Sequence, residues 1–101
     1  MSADRMSRAI HPPLDREPRR IRPPFDVATY APTERMAEET AEQWRTRVHA
    51  DRVSALAEPL DGIELGAHDR RIIEWLADWD VSTVGTIASL FYRARQAGGA
   101  R

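Results

Sequence analysis

From Thr33 onward the apolar residues of this chain fall at helical intervals, and before it they do not. Met36, Thr40, Trp44 and Val48 recur at every fourth position, with Ala37 and Ala41 beside them. Val53, Leu56 and Leu60 continue the stripe after a slip of phase around Ala50 to Arg52. This is the spacing of one helical face. Glu42 to Arg45 and Arg47 to Asp51 stand at distances that allow surface ion pairs. Thr33, after Pro32 and before Glu34, is the expected N-cap. Pro59 followed by Asp61-Gly62 is the expected stop. The pattern predicts one long helix over about 34–57, with a bend expected at the slip.

A loop from Asp61 to Ala67 separates it from the clearest signal in the chain. Ile72, Ile73, Trp75, Leu76 and Trp79 form a broad apolar face, while Arg70, Arg71, Glu74 and Asp78 lie mostly off it. Asp80 or Ser82 can cap a following helix. That helix shows Val84, Ile87, Ala88 and Phe91 at positions i, i+3, i+4 and i+7, flanked by Leu90 and Ala94. Gly98-Gly99 is the expected end. The C-terminal third therefore predicts a helical hairpin over about 68–97, and no segment alternates in the way a strand requires. The fold class expected is all-α.

The first third reads differently. Six of the seven prolines, Pro12, Pro13, Pro18, Pro23, Pro24 and Pro32, lie there. Proline fixes φ and restricts the residue before it, which forbids a regular helix. Residues 1–32 are expected to be an extended, disordered Pro/Arg-rich arm, with residues 33–101 forming the small helical domain. The arm carries six arginines against four acids, a slight positive excess.

Composition narrows the function classes. With 101 residues there is room for one small domain. A formal net charge of −1 gives no global field that would draw the chain onto nucleic acid or an anionic membrane. All 15 basic residues are arginine, a bias that GC-rich coding produces more readily than selection for phosphate binding does. The absence of cysteine removes disulfides, thiolate nucleophiles and cysteine metal sites together. No apolar run approaches the roughly 20 residues that span a bilayer. Met1 to Ile10 has arginines without a hydrophobic stretch behind them, so no secretory signal is read there and a cytoplasmic location is expected.

Candidate chemistry is sparse. His11, His49 and His68 are scattered over arm, helix and loop without metal-ligand spacing. Glu38, Glu39 and Glu42 read as a solvated helix face. No nucleophile–base pair, paired acids or glycine-rich phosphate loop can be named, so no catalytic residue, cofactor or metal is expected. Three tryptophans, Trp44, Trp75 and Trp79, are many for this length. A domain this small buries only about 60% of its unfolded surface, so all three indoles are hard to cover within one chain. Trp44, Trp75, Trp79 and Phe91 are the candidate partner-binding residues, with a protein partner or a homodimer expected.

The alternative is nucleic-acid binding through the hairpin, read as a helix-turn-helix. Ser82, Thr83 and Thr86 would open the recognition helix, and Arg93, Arg95, Arg19, Arg20 and Arg22 would meet phosphates. Arg93 and Arg95 also suit the negative end of a helix dipole. The stretch from Val84 to Arg95 resembles the end of the region-four DNA-binding helix of alternative sigma factors. Val84, Gly85, Thr86, Ser89, Arg93, Ala94 and Arg95 match that pattern, while Ala88 and Leu90 stand where it has basic residues. The resemblance implies a nucleic-acid contact by this helix.

Asp69, Ile72, Trp75, Leu76, Trp79, Asp80, Thr83, Val84, Ile87, Ser89, Leu90, Arg93, Ala94 and Arg95 together resemble a pattern that ends small uncharacterised proteins of actinobacteria and their phages and plasmids. That likeness covers about a third of the chain. It implies an actinobacterial setting and a recurring module, without a function attached. The expectation from sequence is a non-enzymatic helical binding or regulatory protein acting through apolar helix faces, with no small-molecule substrate.

Overall fold

The computed structural model describes residues 11–29 and 33–99. Among them the chain is all-helical, with no strand. Helix α1 runs Ala41–Ala57 and passes into a single 3-10 turn at Glu58–Leu60. Helix α2 runs Ala67–Leu76 and α3 runs Val81–Gly99. The hairpin helices α2 and α3 each pack against α1. Phe25, Leu56, Ile73, Ala77, Val84 and Ala88 form the buried core between them.

The long helix starts later than its apolar stripe suggests. Thr40 caps it: the Gln43 amide donates to Thr40 Oγ1 at 3.0 Å, and the Thr40 amide donates to Gln43 Oε1 at 2.9 Å. This reciprocal pair satisfies two amides that have no partner inside the helix. Thr33, the expected cap, instead belongs to a non-helical segment that folds back over the first turns of α1. Trp44 Nε1 donates to the Thr33 carbonyl at 3.2 Å, and Arg47 Nη2 donates to the Glu34 carbonyl at 2.8 Å. Met36 consequently leaves the expected stripe and is 62% exposed. The core contribution of α1 comes from its last turns, where Ala55 and Leu56 are fully buried.

Asp80, rather than Ser82, caps α3. Its Oδ1 accepts from the Thr83 amide at 2.9 Å, and the Thr83 side chain first, with this amide second, holds the Asp80 carboxyl below its ordinary range. Asp69 closes the start of α2 by accepting from the Gly66 amide at 2.9 Å. At the far end α3 continues through Gly98 and Gly99, two residues past the expected stop. Gly62, at φ +88°, takes the left-handed conformation in the turn after Leu60 that glycine adopts without penalty.

The arm expectation needs correction over its described part. Residues 1–10, and Pro32 at the expected boundary, lie outside the described residues. Residues 11–29 have no helix or strand, as the prolines require, but they form a packed strap rather than a free tail. Phe25 is 5% exposed and belongs to the core, with Leu14 and Ile21 packed against it. Tyr92 of α3 lies between strap residues: its ring stacks on His11 at 4.8 Å and meets Phe25 at 5.9 Å. Arg22 then pins the strap to α1 and the 3-10 turn through Asp51 at 2.8 Å and Glu58 at 3.0 Å. The physical reason is that proline-rich chain is already extended and loses little entropy on docking. A few apolar side chains therefore suffice to hold it.

Candidate interaction surface

Two faces of α2 have opposite fates. Ile73 and Ala77 are buried and Leu76 packs against the core, so this edge faces α1. Ile72, Trp75 and Trp79 point away and are 41%, 56% and 47% exposed. The apolar face of α2 is thus wider than the core can use. An ordinary amphipathic helix buries its apolar stripe and leaves polar residues outside; α2 and the turn after it leave two indoles there.

The indoles are held rather than loose. Trp75 and Trp79 meet edge to face, with ring centroids 5.7 Å apart and planes at 81°. That geometry sets the positive edge of one ring against the negative face of the other. After Leu76 the backbone continues for one tightened turn, with the Asp78 amide donating to the Trp75 carbonyl and the Trp79 amide to the Leu76 carbonyl, both at 3.1 Å. Arg52 of α1 donates to the Trp79 carbonyl at 2.7 Å, and His49 Nδ1 lies 3.0 Å from Asp78 Oδ1. The Arg52 bond therefore ties the turn that carries Trp79 to α1.

Trp44 and Phe91 are placed differently. Trp44 is half-buried and spends its indole N–H on Thr33. Phe91 is half-buried and packs against the core cluster. Of the four candidate contact residues, the structure brings Trp75 and Trp79 together on one open face and joins Ile72 to them. Ile72 lies three residues before Trp75 on α2, a spacing that was visible in the sequence as part of the broad apolar face.

The residues considered for nucleic acid are mostly engaged within the chain. Thr83 receives the Asp80 cap, and the Thr86 hydroxyl donates to the Ser82 carbonyl at 2.7 Å. Arg93 Nε donates to Ser89 Oγ at 3.3 Å. Arg95 Nη1 donates to the carbonyls of Pro59 and Asp61 at 3.1 and 2.6 Å, closing the end of α3 onto the 3-10 turn. Arg22 is held between Asp51 and Glu58, and its hydrogen bonds to Glu58 first and Asp51 second raise its pKa further. Arg20, in the strap, has its Nε buried without a hydrogen-bond partner. Only Arg19 of this group is largely exposed and free of such bonds; it borders a shallow cleft with Ser82 and Arg52.

The small-residue side of α3 is also covered. Gly85 and Ser89 are buried, and a Cβ built on Gly85 would collide with the Arg20 carbonyl oxygen and come within 2.9 Å of Pro18 Cγ. The strap thus lies over Gly85, one of the residues that carry the sigma-factor resemblance. Sequence reasoning missed this contact; the buried glycine within an otherwise ordinary helix was its one signal.

Among the described residues, no three His, Cys, Asp or Glu side chains gather closely enough to hold a metal ion. No helix of the described residues is long and apolar enough to cross a membrane. Comparison with protein-family models, curated proteins and solved structures finds no match to this chain.

Proposed function

We propose that this chain is a non-enzymatic binding protein whose contact surface is the outer face of α2, with Trp75 and Trp79 as anchors and Ile72 beside them. The observation that carries this reading is a pair of half-exposed indoles locked edge to face, Trp75 on α2 and Trp79 on the following turn, which Arg52 fixes to α1. Rigid, solvent-facing tryptophan is the residue most enriched among the anchors of protein interfaces. Its conformation costs little entropy to bring into a complex when neighbours already hold it. The nucleic-acid reading has less support. Arg22 and Arg95 are occupied by acceptors of this chain, and the strap covers the Gly85 side of α3.

The test is photo-crosslinking in the native host from a photoreactive amino acid placed at position 75, against the same residue at the exposed position 54 on α1. A discrete protein adduct from position 75 and none from position 54 is expected. No adduct from position 75, or equal labelling from both, overturns the reading.

A further inference from the structure

We infer that the partner on this face is a second copy of the chain, with the two α2 helices packed antiparallel about a two-fold axis near Trp75. The inference rests on the binding reading above and adds the occupant. Its argument is the order of charge along α2. Arg70 and Arg71 follow Asp69 in the first half of the segment, which leaves one net positive charge there, while Glu74 and Asp78 give the second half two negative charges and the last turn of α2 has no base. A lone helix gains from the reverse order, with acids near its N-terminus and bases near its C-terminus. The i, i+4 pair from Arg70 to Glu74 also runs in the weaker direction.

The two guanidinium groups find no compensation elsewhere: both residues are exposed and, among the described residues, neither side chain makes a hydrogen bond or an ion pair. An antiparallel copy supplies it. Ile72 and Trp79 bound the open face, so an axis near Trp75 lies at its middle. Arg71 then stands level with the second copy's Asp78, and Asp78, whose Oδ1 also lies 3.0 Å from His49 Nδ1 of its own chain, with the second copy's Arg71. One surface satisfies itself twice, as a two-fold interface requires. The same acids, Glu74 and Asp78, set against the indoles an electrostatic flank unfavourable to a polyanion.

The area sets the strength. Two half-exposed indoles offer about 200 Å² per copy on the scale of a buried aromatic side chain, against about 800 Å² per partner in a stable standard interface. The dimer is therefore a weak one, well below a standard interface in size, and is to be sought from micromolar to millimolar chain concentrations.

The experiment is sedimentation equilibrium of the full chain across that concentration range, on the natural sequence, Arg71→Glu, Asp78→Arg and the combined pair. Each single reversal sets like charges together across the axis and is expected to weaken association at least tenfold; the double reversal restores opposite signs and regains it. Both residues are exposed, and an unchanged circular dichroism spectrum of each variant confirms that folding is kept. A natural chain that stays monomeric throughout, singles that associate normally, or a double variant that stays apart would each overturn the inference. The adduct from position 75 separates the two ideas: twice the chain mass supports the copy, while another mass refutes the copy and leaves the binding reading standing. No adduct refutes both.

Discussion

The carbonyl oxygen of Arg20 occupies the space that a Cβ on Gly85 would need, so strap and α3 meet backbone to backbone. Because the obstacle is main chain, a methyl group there cannot be accommodated by the turn of a side chain. Gly→Ala inside a helix otherwise stabilises by about 0.5–1 kcal/mol. Gly85→Ala should do the opposite, costing about 1–3 kcal/mol as an overpacked contact. It should also speed tryptic cleavage after Arg19 and Arg20 as the strap lifts. Stability from urea unfolding and mass-resolved proteolysis check the two halves; a stabilised variant with unchanged cleavage would contradict the contact.

Phe25 is the strap's apolar anchor, and its removal should release the strap without unfolding the helices. Loss of a buried phenylalanine side chain costs about 3–5 kcal/mol where it sits in a continuous core. Phe25→Ala should fall at the lower end, about 3 kcal/mol, because the strap can leave. The urea m-value should also drop, since less surface remains to be exposed on unfolding. A second readout is Tyr92, whose hydroxyl burial pushes above its usual range. Once the strap leaves, ultraviolet titration should show it moving back down.

Arg22 ties the strap through charge. Its Nη1 reaches Asp51 while Nε and Nη2 both reach Glu58, an arrangement that needs the planar guanidinium fork. The side chain is about a third exposed, so solvent screens the pairs. Arg22→Gln should cost about 1 kcal/mol at low salt and less at high salt. Arg22→Lys should recover only part of the loss. Unfolding midpoints measured across a salt series check this, and a salt-independent loss would assign Arg22 a packing role instead.

The elements differ in how far they could be read from sequence, and the reasons are physical. The hairpin was legible because Ile72 to Trp79 and Val84 to Phe91 carry strong helical periodicity around a tight turn, with Asp80 as a local cap. The start of α1 was not, because the alanines and Met36 extend an apparent stripe back to residue 34. The deciding signal, Thr40-x-x-Gln43, is a capping box of hydrogen bonds rather than a pattern of hydrophobicity. The strap was illegible for another reason. Its order depends on contacts far along the chain, from Phe25 to Tyr92 and from Arg22 to Glu58, which no local propensity records. Among the candidate contact residues, Trp75 and Trp79 shared one turn in the sequence. Which of the aromatic residues would be left outside depended on how α2 rotates against α1.

The fold-back of residues 33–39 over α1 makes stability depend on pH. Arg47 holds Glu39 through Nε at 2.7 Å and Nη2 at 2.9 Å, and the Met36 amide also donates to Glu39. The Arg47 contact first, and that amide second, lower the Glu39 pKa from 4.5 to about 2. Between those values the unfolded chain binds a proton at this carboxyl that the folded chain does not. Folding stability from the pair is therefore complete above the unfolded value and is lost as pH falls from about 5 toward about 2. Asp80, lowered by its bond to Thr83, acts in the same direction. Glu39→Gln removes one titration and keeps the shape of the side chain. The stability difference between natural chain and variant should shrink steadily from about pH 6 to about pH 2, as read from urea midpoints at each pH. A constant difference would mean that Glu39 keeps its ordinary affinity for protons and that the Arg47 contact does not form in solution.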